Sequence, residues 1–187
     1  MSIRLAGLLR GGRAPVMVGA SLLAAACAMP TPPPAIGAGS SKAACGDATA
    51  LRHALVARIN AARAEARMCG GARMDAAPPL EWSRVLARIA RAHALDMARN
   101  DFVAHAGSDG RGVDARADRA GYPWETLGEN VGAGAPDAAR AVTHWLGSPG
   151  HCRNLMNVDY REIGAACANA ADSRYGHYWD IVLGTRR

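Results

Sequence analysis

The sequence predicts an α+β domain with helices first and strands last, on three observations. Apolar residues at helical spacing dominate residues 47–99, short segments with Ile, Val, Tyr and Trp close the chain, and Gly- or Pro-rich turns separate the pieces.

In the first stretch Leu51, Leu55, Ile59 and Ala62 share a helical face, Asp47 is placed to cap its start and Gly70-Gly71 to stop it. Pro78-Pro79 closes a loop. Trp82, Val85, Leu86, Ile89, Ala90, His93, Ala94 and Met97 then form a second amphipathic face running to about Arg99. His93 lies on that apolar stripe and reads as a packed residue with one satisfied nitrogen. The glycines between Ala106 and Gly112 demand a sharp turn after His105, before a short helix over residues 113–120. Glu129-Asn130-Val131 fits a short strand between glycines. Pro136-Asp137 opens a helix whose face is Ala138, Ala141, Val142 and Trp145, which leaves His144 at the surface and breaks at Gly147-Ser148-Pro149-Gly150. Residues 162–168 and 175–183 read as a two-stranded hairpin around a turn-rich 169–174.

The start of the chain reads as a processing segment rather than as fold. Arg4, Arg10 and Arg13 precede an apolar run, Val16 to Ala26, too short to span a bilayer as a helix, so residues 1–27 are expected to be a secretory signal. Two cleavage readings stand. Leu23-Ala24-Ala25-Ala26 before Cys27 resembles a bacterial lipobox, with Ala24 in place of the usual large aliphatic residue, and makes Cys27 a lipidation site. Ordinary cleavage after Ala28 is the other reading. The Pro/Gly/Ser-rich residues 28–44 suit a disordered tether, leaving 45–187 as one domain. The lipobox reading is the one favoured by the cysteine count: five is odd for an exported protein, and Cys27 set apart leaves Cys45, Cys69, Cys152 and Cys167 to pair in one of three ways.

The formal charge of +6 includes the three leader arginines, and without them it falls to about +3. The arginines are scattered along the chain with one lysine, Lys42, and form no stripe, so a nucleic-acid partner is not expected. No H-E-x-x-H, C-x-x-C, G-x-G-x-x-G or G-K-[ST] motif occurs, and Ser148 stands in no nucleophile elbow.

What remains for chemistry is His105, Glu129 and His151, each beside turn-forming residues and able to share one polar pocket. Phe102-Val103-Ala104-His105, Gly128-Glu129-Asn130 and Ser148-Pro149-Gly150-His151 occur in order with Asn60-Ala61-Ala62-Arg63, Pro79-Leu80-Glu81-Trp82, Gly121-Tyr122, Thr143-His144-Trp145, Ile163-Gly164 and Tyr178-Trp179. Together, from about Ala50 to Gly184, they resemble the CAP superfamily of cysteine-rich secretory, antigen 5 and pathogenesis-related 1 proteins, in its bacterial branch.

The resemblance implies a three-layer α-β-α sandwich with a small central antiparallel sheet. It implies the pairing Cys69–Cys152 with Cys45–Cys167. It also implies a cleft of two histidines and two acids, of which His105, Glu129 and His151 match three positions while Ser148 stands where the second acid belongs. His105, His151 and Glu129 are thus candidate ligands of Zn²⁺ or another divalent metal, with Ser148 and Asn130 lining the cleft. The expected function is a monomeric, extracytoplasmic binding module for an envelope, lipid or protein ligand, periplasmic or at the cell surface, touching membrane only through a lipid anchor. The alternative is a metal-assisted hydrolase of peptide or cell-wall bonds with Glu129 as general base, favoured if Asp109 or Glu125 supplies a second carboxylate.

Overall fold

The computed structural model describes residues 45–187. The expected signal segment, Cys27 and the tether therefore lie outside the described residues. The described chain runs α1 (Ala48–Arg63), β1 (Arg67–Cys69), β2 (Ala72–Met74), β3 (Glu81–Trp82), α2 (Arg84–Asn100), α3 (Val113–Arg119), β4 (Trp124–Ala133), α4 (Ala138–Gly147), α5 (Pro149–Leu155), β5 (Glu162–Ala170) and β6 (Gly176–Arg186). Four strands form one sheet in the order β3-β5-β6-β4, and β1 pairs with β2 as a separate hairpin.

Strand alternation sorts the core into two halves. Trp179, Ile181 and Leu183 of β6 pack with Ile163 of β5 against Leu55 and Ile59 of α1 and Val142 and Trp145 of α4. Tyr178 and Val182 pack with Ala166 and Ala168 against Leu86, Ile89, Ala94 and Met97 of α2. Because β6 is buried on both faces, the sheet is the middle layer of an α-β-α sandwich. Asp47 caps α1 as expected, accepting from Thr49 N and Ala50 N at 2.8 Å. Both disulfides have the pairing implied by the resemblance, Cys45–Cys167 and Cys69–Cys152.

Four local expectations are corrected. The sheet is not wholly antiparallel: β3 runs parallel to β5 through Glu81↔Glu162 and Trp82↔Ile163, so Trp82 belongs to a strand and not to the second helix. Gly70-Gly71 turns a hairpin, with Gly70 at φ +65°, instead of merely ending a helix. Ser148-Pro149 begins α5, where proline at the first helical position needs no N–H partner. The strand through Glu129 is ten residues long, because its glycines make room for neighbours instead of breaking it. A Cβ on Gly128 would overlap the Tyr160 hydroxyl, and one on Gly132 would meet Trp145 Nε1 at 3.2 Å.

Candidate functional site

His105 sits on the loop after α2, and that loop is held from four sides. Asp101 ends α2 in the left-handed region at φ 51°, reversing the chain. His93, 1% exposed as its stripe position suggested, donates from Nε2 to Ala104 O at 2.8 Å. Asp96 accepts from Ser108 N at 2.7 Å and Ser108 Oγ at 2.6 Å. From α3, Arg116 donates to His105 O at 3.1 Å and to Arg111 O at 2.8 Å.

Glu129 projects from β4 with its side chain 2% exposed. Its Oε1 accepts from Arg116 Nη2 at 2.5 Å and its Oε2 from His105 Nδ1 at 2.9 Å. Donating Nδ1–H leaves His105 Nε2 as the free ring nitrogen. His151 stands in α5, which is fastened to β4 by amides: Asn130 Nδ2 donates to His151 O at 3.1 Å, and Asn154 Nδ2 to Asn130 Oδ1 at 2.9 Å and Glu129 O at 3.1 Å. Tyr160 OH closes the network on Leu127 O and Asn154 Oδ1 at 3.1 and 3.0 Å.

His105, Glu129, Asn130, Ser148 and His151 thus line one open cleft of about 620 Å³. The hydrogen bond to Glu129 raises the His105 pKa above the ordinary imidazole value, against an opposing effect of burial. Burial, and then the nearby His105 charge, lowers that of His151. Two imidazoles with opposite tendencies share the cleft, one charge-assisted and one favoured neutral. Asp109 and Glu125 are not among its lining residues, but Asp114 is. Asp114 Oδ1 lies 2.7 Å from where a Cβ on Gly112 would stand, so the carboxylate turns back on the start of α3.

Arg116, Asn154, Tyr160 and Asp114 escaped sequence reading. Asn154 was within reach, being three residues after His151 on one helical face, had Ser148-Pro149 been taken as a helix start. Arg116 carried no signal, since an arginine on a short polar helix is ordinarily solvated. Asp180 was missed as well. It is fully buried between Tyr178 and Val182, neither carboxylate oxygen has a partner among the described residues, and burial followed by the Glu129 charge holds its pKa well above the usual carboxylate range.

The residues present fit a metal only in part. Glu129 is turned to Arg116 and His105, and among the described residues no group of three or more His, Cys, Asp or Glu is arranged to hold an ion. The free nitrogens of His105 and His151 would be the protein ligands, with Glu129 behind His105 setting its tautomer.

Residues 56–182 match the model of the cysteine-rich secretory protein family, CAP. An uncharacterized membrane protein, YlbC, of Bacillus subtilis is 32% identical over 85 residues, covering 46% of this chain and 25% of that protein. Uncharacterized protein YkwD of the same bacterium is 28% identical over 86 residues, 46% of this chain and 34% of its own length, so the chain spans about a third or less of these relatives. Among solved structures, an extracellular SCP-domain protein from Bacillus anthracis aligns with TM-score 0.52 and 26% identity over 59% of this chain and 35% of that one. An outer surface protein from Borrelia burgdorferi shares the fold with TM-score 0.54 and 23% identity, over 59% of this chain and 80% of that one. Fold, ordered motifs and family match agree: the chain belongs to the cysteine-rich secretory protein (CAP) family.

Proposed function

We propose that this is an exported, monomeric binding module whose cleft engages an envelope ligand through His105 and His151, positioned by the internally bonded amides of Asn130 and Asn154, with a divalent ion such as Zn²⁺ held exchangeably at the two imidazoles. The observation that carries this reading is the engagement of Glu129. Its side chain is 2% exposed, its charge is balanced by Arg116 and both oxygens are bonded, so the carboxylate is committed to Arg116 and His105 instead of standing free to take a proton from substrate or water. Its work is to hold His105. Two protein ligands with water completing the shell make a weak, open metal site. Export is supported by the two disulfides, which persist in oxidising compartments, and by the leader-like start; a lipidated Cys27 accounts for the fifth cysteine.

Calorimetric titration with Zn²⁺, Cu²⁺ and Mg²⁺ tests the cleft. Weak Zn²⁺ binding that disappears in both His105→Ala and His151→Ala is expected, and heats unchanged in all three proteins would remove the metal. The hydrolase reading draws on Asp114 alone. Turnover of cell-wall peptide fragments by the native chain that is lost in Asp114→Asn would favour it over the binding module.

A further inference from the structure

Spread singly along the sequence, four arginines meet on one surface. At 100° per residue, Arg84, Arg88, Arg91 and Arg99 fall within an arc of about 80° on α2, opposite the buried Leu86, His93 and Met97, in a ridge about 22 Å long that is interrupted between Arg91 and Arg99 by the half-buried Leu95. All four are exposed. The only acid of α2, Asp96, lies outside the arc and is bonded to Ser108 and Asn100. Among the described residues, none of the four arginines takes part in an ion pair, whereas Arg116 and Arg119 of α3 do. Composition does not explain the segregation. The chain has 22 basic and 16 acidic residues, and Arg4, Arg10, Arg13 and Lys42 precede Cys45 while no acid does, so the domain itself is close to charge balance. A coding bias selects Arg over Lys; it does not clear one helix face of acids.

The ridge borders two depressions. One, of about 240 Å³, has Ile89, Ala92 and Ala120 as floor with Arg88, Arg116 and Arg119 beside them. The other, of about 410 Å³, brings Arg88 and Arg91 together with Cys45, the first described residue. Cys27 and Cys45 are 18 residue steps apart, at most about 65 Å of fully extended chain, so an acyl anchor at Cys27 would hold the domain within that distance of the bilayer.

We propose that the arginine ridge of α2 docks the domain on an anionic phospholipid surface. Guanidinium groups pair with phosphate in two-point contacts, and the apolar floor between them suits the glycerol and upper acyl region beneath the headgroups. None of the four ridge arginines lines the His/Glu cleft.

The test is co-sedimentation of the chain carrying Cys27→Ala, which removes any acyl anchor, with vesicles of phosphatidylcholine alone or with about 30% phosphatidylglycerol. Binding is expected only to the anionic vesicles and should weaken as salt rises from about 20 to 150 mM. Each Arg→Gln change on the ridge is expected to weaken it about fivefold, the factor equivalent to ~1 kcal/mol per basic residue at an anionic surface. Arg84→Gln, Arg88→Gln, Arg91→Gln and Arg99→Gln together should abolish it. Arg58→Gln, Arg73→Gln, Arg140→Gln and Arg153→Gln together remove the same charge elsewhere and should retain most of it. Equal loss in both sets, or equal binding to neutral vesicles, would overturn the proposal. So would a ridge that binds duplex DNA and not vesicles. Circular dichroism of each variant separates lost binding from lost fold, and titration of the cleft with Zn²⁺ is expected to be unchanged.

Discussion

Arg116 and Glu129 meet at 2.5 Å with side chains 12% and 2% exposed, and this pair ties α3, the His105 loop and β4 into one unit. Removing one partner of a covered pair leaves the other charge uncompensated. Arg116→Met is therefore expected to cost about 3 kcal/mol in urea unfolding. Adding Glu129→Gln should recover much of that, because no buried charge then remains. The His105 ring reports the same geometry by NMR titration. Its pKa should fall in Glu129→Gln, which removes the main cause of its elevation, and should rise in Arg116→Met, which removes an opposing charge.

The fold was legible where one physical signal governed a segment. The α2 stripe and the final hairpin follow from periodicity, and the three layers from the ordered motifs. What escaped depended on partners distant in sequence. Gly128 and Gly132 look like breaks until Tyr160 and Trp145 are seen lying over them. Glu129 was found, but its occupation by Arg116 was not, because nothing local in residues 113–119 distinguishes a covered arginine from a solvated one. Asp180 stands in a strand otherwise read as apolar, and its burial arises only when β6 is covered on both faces.

Stability is expected to pass through a maximum with pH. Burial lowers the His93 pKa, so the folded state favours neutral imidazole; its contribution is present above the ordinary value near 6.5 and is lost as pH falls from there toward the folded pKa. Asp180 has the opposite sign. Its raised pKa makes a contribution that is whole below the unfolded carboxylate value and is lost as pH rises through the folded one. His105 also weakens the fold as pH rises, but at 61% side-chain exposure its share is small. Urea midpoints between about pH 4 and 9 should show the acid limb reduced in His93→Gln, whose amide can still donate to Ala104 O. The alkaline limb should flatten in Asp180→Asn. Unchanged limbs in both variants would assign the pH response elsewhere.

Gly164 is where α2 and β5 touch backbone to backbone. A Cβ there would run into Ala87 N and Leu86 C, neither of which can move aside as a flexible side chain does. Gly164→Ala is expected to separate helix from sheet and cost more than about 3 kcal/mol, at the upper end for single substitutions. Gly71→Ala, with open space around its Cβ, serves as the matched control and should cost under about 1 kcal/mol. Thermal melts of the two variants make the comparison directly.

The two disulfides should differ in their response to reductant. Cys69 and Cys152 are 0% and 1% exposed and pack on Met156, joining the β1–β2 hairpin to α5, one wall of the cleft. Cys45 and Cys167 are only half-buried and join the entry to α1 with β5. Thiolate attack requires access to sulfur, so Cys45–Cys167 is expected to open first under dithiothreitol, followed by Cys69–Cys152 only as the domain itself opens. Alkylation with mass mapping at successive times reads the order. Removing Cys69–Cys152 by paired alanine substitution should lower stability by about 2–4 kcal/mol and loosen His151, seen as faster amide exchange across residues 149–155. Simultaneous reduction of both bridges would mean that the buried pair opens without waiting for the core.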